Sequence, residues 1–234
     1  MTKVISVFSQ KGRVGKSTIS VLLANLFFFQ FDFKVAIVDA DCPQQSIFKH
    51  RKTELEEIPA SKLLQKKFNN TYAVQLPYPI IASNEGDCIK AIQQLRNTRK
   101  LDYIFVDAHK NFALAGMKGF LSEINYFLIP TFLDDFSIWA ATGFYENLQK
   151  NIKPKSEHFK DCLLFFNKVA RQNKLDETMR NLEEEFNILS QYVAQHALYE
   201  KSYRSTLLLL SIKSREGHRL MLFAQNFLAA INTD

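Results

Sequence analysis

Short apolar stretches, rich in β-branched and aromatic residues, alternate along the chain with longer stretches in which apolar residues recur at helical spacing. The short stretches predict strands at 4–8, 35–39, within 73–82, 103–107, 126–129, 163–167 and 191–193. The longer ones predict helices at 17–29, 54–67, 87–99, 138–151, 175–186, 199–211 and 217–231. Because the strands are apolar almost throughout, we expect an α/β fold with a mostly parallel sheet and helices on both faces.

Five of the predicted strands end in, or run directly into, a polar or special residue. These residues are Ser9, Asp39, Asp107, Pro130 and Asn167. The carboxyl ends of parallel strands meet at one edge of the sheet, which is where such sheets bind ligands. We therefore expect a single functional edge, within one domain spanning 1–234, because no linker, repeat or low-complexity segment interrupts the chain.

The first predicted strand runs into a glycine-containing loop and then a helix, in the stretch VISVFSQKGRVGKSTIS. Backbone N–H groups of such a loop, together with the helix N-terminus, can surround phosphate oxygens. Gly15, Lys16 and Ser17 match the end of the phosphate-loop pattern GxxxxGK[ST], although Gln10 stands where the first glycine belongs. Lys16 is the candidate for the β- and γ-phosphates and Ser17 for Mg²⁺, with Thr18 near the α-phosphate. The predicted nucleotide-binding residues of the loop are Lys11, Gly12, Arg13, Val14, Gly15, Lys16, Ser17 and Thr18.

The stretch QKGRVGKST resembles the deviant phosphate loop KGGxGK[ST] of the ParA/MinD family of ATPases, so the missing first glycine marks a subclass. The resemblance implies a P-loop NTPase fold and a dimer closed around ATP, in which Lys11 reaches the partner's nucleotide. Arg13 stands where that family has its second glycine. If this position needs a positive φ, a side chain there costs about 1–2 kcal/mol.

The second predicted strand continues into VAIVDADCPQQS, which is similar to the family's switch segment VDxDPQ with Cys42 inserted. Asp39 is the candidate for holding Mg²⁺-bound water, and Asp41 for orienting the attacking water. An Asp-x-Asp pair at a strand end can also serve only as a turn and helix cap.

A second acidic strand end, Asp107, follows four apolar or aromatic residues in LDYIFVDAHK. This is the Walker B layout, in which the carboxylate orients the hydration sphere of Mg²⁺. The following Ala108, His109 and Lys110 depart from the family's usual turn. His109 is a candidate phosphate sensor, with a surface histidine as the favoured interpretation.

Asn167 and Lys168 follow the sixth predicted strand in LLFFNKVAR. The guanine-reading pattern N-K-x-D requires an aspartate where this chain has Ala170. Asn167 alone can pair with the edge of adenine, so the sequence favours ATP over GTP.

The composition indicates where the protein is located and what charge its partner carries. The three cysteines are scattered and odd in number, which favours a reducing, cytoplasmic location over a disulfide framework. No secretory signal is visible near the start, and the longest apolar run is too short and too polar to span a bilayer. The net charge of +6 suits an anionic partner.

Two basic segments, 90–100 and 201–219, are candidates for contacting DNA phosphates, with solvated helix faces as the alternative. The chain lacks cations after Arg219, unlike the basic C-terminal membrane helix of the MinD branch, so we expect the DNA-partitioning branch and no membrane partner. The resemblance also implies a homodimer on ATP binding and a partner protein that stimulates hydrolysis.

The sequence therefore predicts a slow ATPase with ATP and Mg²⁺ as cofactors, in which Lys11, Lys16 and Asp41 are catalytic and Ser17, Asp39 and Asp107 serve the metal. Two alternative functions also include nucleotide binding: a catalytically impaired scaffold and a MinD-like positioning ATPase. An iron–sulfur enzyme with the same loop is disfavoured because the cysteines lack a suitable context.

Overall fold

The computed structural model describes residues 1–84, 86–98, 100–109, 114–170, 175–200, 205–207 and 214–232. Its strands are β1 (Lys3–Val7), β2 (Val35–Ala40), β3 (Ile80–Ala82), β4 (Tyr103–Ala108), β5 (Tyr126–Thr131), β6 (Asp161–Val169) and β7 (Val193–Ala194). Its α-helices are α1 (Lys16–Phe29), α2 (Ser46–Glu57), α3 (Lys62–Thr71), α4 (Cys88–Thr98), α5 (Leu114–Glu123), α6 (Asp135–Asn147), α7 (Leu175–Glu183), α8 (Ala197–Glu200) and α9 (Arg215–Ala230).

The strands form one sheet in the order β3-β2-β4-β1-β5-β6-β7, and all of its pairings are parallel. The register places Val7, the last residue of β1, opposite Asp107, and Asp107 opposite Asp39. The two acidic strand ends therefore lie side by side, next to the start of the glycine loop. The predicted α/β fold with a parallel sheet is confirmed.

Alternate residues along the strands pack into two separate apolar layers, one on each face of the sheet. In β1, Ile5 and Val7 join the layer that contains residues of α1 and α9. Val4 and Phe8 join the layer formed with α4, α5 and α6. This two-sided burial explains why the strands are apolar at nearly every position.

Helix α1 is buried over most of its length, and its Phe27 is fully buried against the sheet. The Phe27 ring makes edge contacts with Tyr103 and Phe105, at centroid distances of 4.8 and 5.4 Å. These contacts lock the helix that begins at the glycine loop onto the strands beside it.

The predicted helix 54–67 is wrong in extent. Helix α2 begins earlier, at Ser46, and ends at Glu57, and a 3-10 turn containing Pro59 follows at Ile58–Ala60. Ser61 then caps a separate helix, α3, by accepting a hydrogen bond from the Leu64 N–H at 3.4 Å. Proline lacks the N–H that a continuous helix needs, so the chain restarts its helix at the serine.

The predicted helix 199–211 is also wrong, because α8 covers Ala197–Glu200 and residues 205–207 are not helical. The rest of that stretch, 201–204 and 208–213, lies outside the described residues. Leu220, Phe223 and Phe227 of α9 are buried in the core, as its apolar spacing indicated. Within the described ranges, no helix combines the length and apolar character needed to cross a bilayer.

Candidate functional site

The glycine loop turns sharply into α1. Gly15 caps the helix with φ 89°, in the left-handed region where a side chain is strained. Arg13 also has a positive φ, 63°, and its side chain is exposed. Arg13 therefore adopts the positive φ at which a residue with a side chain pays a backbone cost.

A cavity of about 910 Å³ opens above this loop at the carboxyl edge of the sheet. Its lining residues are Gly12, Arg13, Val14, Gly15, Lys16, Ser17, Thr18, Asp41, Gln44, Ser46, His109, Lys168 and Ala197. Every predicted loop residue except Lys11 is thus brought together with Asp41. His109 lines this cavity as a half-buried side chain, and its role as a phosphate sensor or a surface histidine stays a prediction.

Asp107 is fully buried beneath the loop, and neither of its carboxylate oxygens accepts a hydrogen bond of normal geometry from a described residue. Burial raises the pKa of Asp107 to about 7, and the charges of Asp39 and Asp41 add to this. The nearby Ser17 hydroxyl and the Lys16 ammonium lower the pKa and limit the rise. A buried acid left without partners is costly, so this position is suited to a group that the protein chain itself does not supply.

Asp39, the other acidic strand end, already accepts hydrogen bonds from the protein backbone. Asp39 is fully buried, and one carboxylate oxygen accepts the backbone N–H groups of Ile47 and Phe48, both at 2.9 Å. Burial raises the pKa of Asp39, and these N–H groups oppose the rise. Asp39 therefore caps the first turn of α2, as the helix-cap alternative predicted, and its position beside Asp107 keeps it close to the loop.

Magnesium fits this corner of the cavity. Mg²⁺ is bound in nucleotide sites through one or two protein oxygens, waters and substrate phosphates. Ser17 lines the cavity above the unpartnered carboxylate of Asp107, which supplies that donor set. A full protein cage is not required, and the described residues contain no group of three or more His, Cys, Asp or Glu arranged to hold a metal.

Lys11 lies away from the cavity. Its ammonium is 3.6 Å from a carboxylate oxygen of Asp134, donates to the hydroxyl of Ser137, and lies 5.3 Å from the centroid of Phe132. Asp134 caps α6 by accepting the Ser137 N–H at 2.9 Å. The Ser137 hydroxyl also donates to Asp134, and this bond is the main cause that lowers the pKa of Asp134. The lysine is about one-third exposed, so only a solvated contact holds it to its own chain.

Asn167 supports the loop from below. It is almost fully buried, and its amide nitrogen donates to the Val14 carbonyl at 2.7 Å. Its amide oxygen accepts the Lys168 N–H at 2.9 Å. A Cβ added to Gly15 would lie 2.6 Å from the Asn167 amide nitrogen, so Gly15 is required by close approach as well as by its φ. In this conformation the Asn167 amide is engaged by the protein backbone, and pairing with adenine stays a prediction.

A second, smaller cavity of about 170 Å³ adjoins the loop. It is lined by Gly15, Thr18, Ile19, Leu22, Asn167, Lys168, Val193, Ala194, Gln195, His196, Ala197 and Tyr199. Gly15, Thr18, Lys168 and Ala197 line both cavities, so the two spaces lie side by side at the start of α1. The lining of the smaller cavity includes the apolar side chains of Ile19, Leu22 and Val193, which suit a flat ring system.

Several residues that face these cavities were missed by sequence reasoning. Lys168 had a signal, since it follows Asn167 at the end of a predicted strand; its positive φ of 56° is seen only in the structure. His196 and Tyr199 had none, because they follow the very short strand β7. Asp134 carried the ordinary signal of a helix cap, and its contact with Lys11 depends on the fold alone.

Comparisons with known proteins agree with this geometry. The profile of the CobQ/CobB/MinD/ParA nucleotide-binding domain matches residues 5–208. No curated protein matches the sequence significantly. Three solved structures share its architecture at low identity. The first is a putative plasmid partition protein of Borrelia burgdorferi B31 bound to AMPPNP, with a TM-score of 0.69 and 16% identity over 98% of this chain and 100% of that one. The second is the cell division ATPase MinD of Pyrococcus furiosus, with a TM-score of 0.70 and 16% identity over 98% of this chain and 100% of that one. The third is the MinC:MinD complex of Aquifex aeolicus, with a TM-score of 0.67 and 15% identity over 97% of this chain and 96% of that one.

The parallel sheet and the glycine loop define the class as a P-loop nucleotide-binding protein. The chain belongs to the CobQ/CobB/MinD/ParA nucleotide-binding family, and the predicted membership is confirmed. At these identities the solved structures support the fold, and they include both partition and cell-division proteins.

Proposed function

We propose that this protein is a slow, Mg-dependent ATPase that dimerises on binding ATP and uses that switch to partition or position DNA. The observation that carries the proposal is the pairing of a phosphate loop with an unpartnered buried carboxylate. Gly15 turns the loop into α1, and Asp107 lies beneath Ser17 without a hydrogen bond of normal geometry from a described residue.

In the proposed complex, the triphosphate occupies the larger cavity. The loop N–H groups and the positive N-terminus of α1 bind its oxygens, and Lys16 supplies a fixed positive charge. Ser17 would hold the magnesium ion directly and Asp107 through its hydration water, and the ion would neutralise charge on the phosphates. Asp41 lines the same cavity and is the candidate to orient the attacking water, while Asp39 holds α2 beside it.

The base is proposed to enter the smaller cavity, next to Thr18 and Lys168. ATP is favoured over GTP because the guanine-reading aspartate is replaced by Ala170. Homodimerisation is proposed from the family resemblance, with support from the solvated tether of Lys11 at α6. Breaking that contact costs little, so the lysine is available to a second nucleotide.

Calorimetric titration of Mg-ATP tests the nucleotide site. Lys16→Ala should abolish measurable binding because it removes the charge inside the cavity, whereas Lys11→Ala should leave monomer binding within about twofold since Lys11 lies outside it. Absence of heat with the folded wild-type protein would refute the proposal.

Contact with DNA is proposed at the opposite edge of the sheet. Of the basic segment 90–100, Lys90 pairs with Asp87 at 3.4 Å and Arg96 with Glu123 at 2.6 Å. Lys100 instead lines a cleft of about 780 Å³ together with Lys34. Both lysines are exposed, and neither has an ion-pair partner among the described residues.

Binding of a non-specific DNA duplex, followed by fluorescence anisotropy with ATP across a salt series, tests this surface. The double variant Lys34→Ala/Lys100→Ala should weaken binding and reduce the salt slope by about 2, since each phosphate that a lysine neutralises adds roughly 0.9 to that slope. Lys62→Ala/Lys66→Ala on α3 removes the same charge elsewhere and serves as the control. Equal effects of the two double variants would remove the cleft from the proposal.

One observation favours the impaired-scaffold alternative. Arg13 lines the phosphate cavity with a strained φ of 63°, at the position next to the proposed dimer face. Turnover measured with and without DNA separates the two functions: a switch hydrolyses ATP and accelerates with its partners, whereas a scaffold retains nucleotide unchanged. ATP-dependent binding to liposomes without DNA binding would instead favour a MinD-like role.

A further inference from the structure

Residues 205–207 form neither helix nor strand, and yet their backbone is held at every carbonyl. Each of the three successive carbonyl oxygens accepts a hydrogen bond from the side chain of a different part of the chain. The bonds are Asn25 Nδ2 to Ser205 O at 2.6 Å, Arg51 Nη2 to Thr206 O at 2.7 Å, and Tyr72 O–H to Leu207 O at 2.6 Å. The segment is therefore bonded to α1, to α2 and to the end of α3.

Thr206 is the most tightly bound of the three residues. Arg51 Nε donates to its hydroxyl at 2.7 Å, and the hydroxyl in turn donates to Glu54. The Thr206 N–H also donates to the Glu54 carboxylate at 2.8 Å. We call Arg51, Glu54 and Thr206 the Thr206 clamp. It joins two opposite charges of α2 through one threonine.

The clamp is unusual because it buries a guanidinium. Arg51 is 8% exposed and Thr206 is fully buried. The guanidinium also donates to the Tyr78 carbonyl at 2.9 Å and lies 4.8 Å from the centroid of the Tyr78 ring. Buried charges persist only where their hydrogen bonds are satisfied, and replacing one partner leaves the others unpaired.

The phosphate half of the nucleotide site is bonded to the helix that carries this clamp, and the base half includes α8, which precedes Ser205 in the chain. Helix α2, which carries Arg51 and Glu54, has its first turn bonded to Asp39 beside the phosphate loop. Ser205 lies a few residues after α8, whose Ala197 and Tyr199 line the smaller cavity. Tyr199 is held on the other side by α9, since its hydroxyl donates to the Glu216 carbonyl at 3.0 Å.

We infer that the Thr206 clamp is a positioning unit that fixes the wall of the smaller cavity relative to the phosphate loop, so that base and triphosphate are bound together. The inference rests on the proposed function, because it takes the smaller cavity as the base site. Arg51, Glu54 and Thr206 contact no nucleotide themselves; they act through the segment 205–207, which is bonded to α1 at Asn25 and follows α8 in the chain.

The competing explanation is that the clamp only stabilises the fold. Both explanations expect a lower midpoint of thermal unfolding when the clamp is weakened. They differ in ligand selectivity, because a loss of stability alone leaves the relative affinities of ligands with and without a base unchanged in the folded protein.

The test compares Mg-ATP with Mg-tripolyphosphate, which lacks base and ribose, by calorimetry well below the unfolding midpoint. Thr206→Val removes the hydroxyl and keeps the shape, and Thr206→Ser keeps the hydroxyl as the matched control. We expect Thr206→Val to bind Mg-ATP about three- to tenfold more weakly, the order of one lost hydrogen bond, with tripolyphosphate affinity within twofold of wild type. Thr206→Ser should behave like wild type for both ligands.

Equal changes for the two ligands, or none for either, would overturn the inference while leaving the proposed function intact. Failure of wild-type protein to bind Mg-ATP would instead refute the proposed function. If Thr206→Val does not fold, Glu54→Gln tests the same clamp, since it removes the charge and keeps the length of the side chain.

Discussion

The two halves of the nucleotide site are built in different ways. Most of the phosphate half is one contiguous stretch, Gly12 to Thr18, which leads from the end of β1 into the first turn of α1. The base half is assembled from the first turns of α1, the end of β6 and the segment 193–199. Local sequence can specify the first, whereas only the tertiary fold brings the parts of the second together.

The halves meet where Asn167 passes under the loop. This side chain from β6 bonds the Val14 carbonyl and approaches Gly15 too closely for any side chain. A substitution at this junction should therefore weaken binding in both halves, whereas a substitution further away should affect only one half.

Gly15→Ala should have the largest effect. The added Cβ meets Asn167 at 2.6 Å and forces φ 89° on a residue with a side chain, a combined cost of about 3 kcal/mol or more. Calorimetry should show binding of both Mg-ATP and Mg-tripolyphosphate lost. Gly143→Ala in α6 is the control, because its Cβ meets nothing within 4 Å and alanine favours the helix by roughly 0.5–1 kcal/mol. Wild-type affinity in Gly15→Ala would contradict the described loop.

Asp107→Asn should stabilise the nucleotide-free protein by about 1–3 kcal/mol at neutral pH, since it removes a buried carboxylate without hydrogen bonds of normal geometry. The folded-state pKa of Asp107 is raised to about 7, so wild type loses stability as pH rises from about 4 to 7, and the variant's advantage should grow across that window.

Denaturant titrations at pH 5 and pH 7.5 measure this difference, and Mg-dependent ATP affinity should fall in the same variant. A difference that shrinks with rising pH would contradict the assigned pKa direction. Asp102→Asn, at the opposite edge of the sheet, is a control for removing an acidic group away from the site.

Asn167→Ala sharpens the comparison because Asn167 has two candidate roles. Loss of the hydrogen bond to Val14 should lower the free energy of unfolding by about 1–2 kcal/mol and weaken the binding of ATP, GTP and tripolyphosphate to a similar extent. If Asn167 reads adenine instead, the preference for ATP over GTP should fall and tripolyphosphate affinity should hold. Parallel titrations with the three ligands distinguish these outcomes.

Arg13→Gly should have the smallest effect on stability, a gain of about 1 kcal/mol from relieving φ 63°. If Arg13 obstructs the dimer face, steady-state ATP hydrolysis should rise as well. Asp32→Gly is a matched control, because Asp32 is exposed with φ 56° and lies outside both cavities. It should gain similar stability without changing turnover, and unchanged turnover in Arg13→Gly would show that Arg13 is no obstacle.

The sequence by itself determined the parallel α/β sheet, the phosphate loop and the two acidic strand ends. These features depend on local periodicity and on the rule that parallel strands present their carboxyl ends at one edge. Even the strain at Arg13 was predictable, since it follows from one missing glycine in a known loop pattern.

Only the tertiary structure decided which of the polar residues are already bonded. Asp39 and Asp107 look alike in sequence, but α2 supplies two N–H groups to the first and no described residue bonds the second with normal geometry. The Thr206 clamp joins residues about 150 positions apart. Such pairings depend on how distant elements pack, and periodicity along the chain carries no information about them.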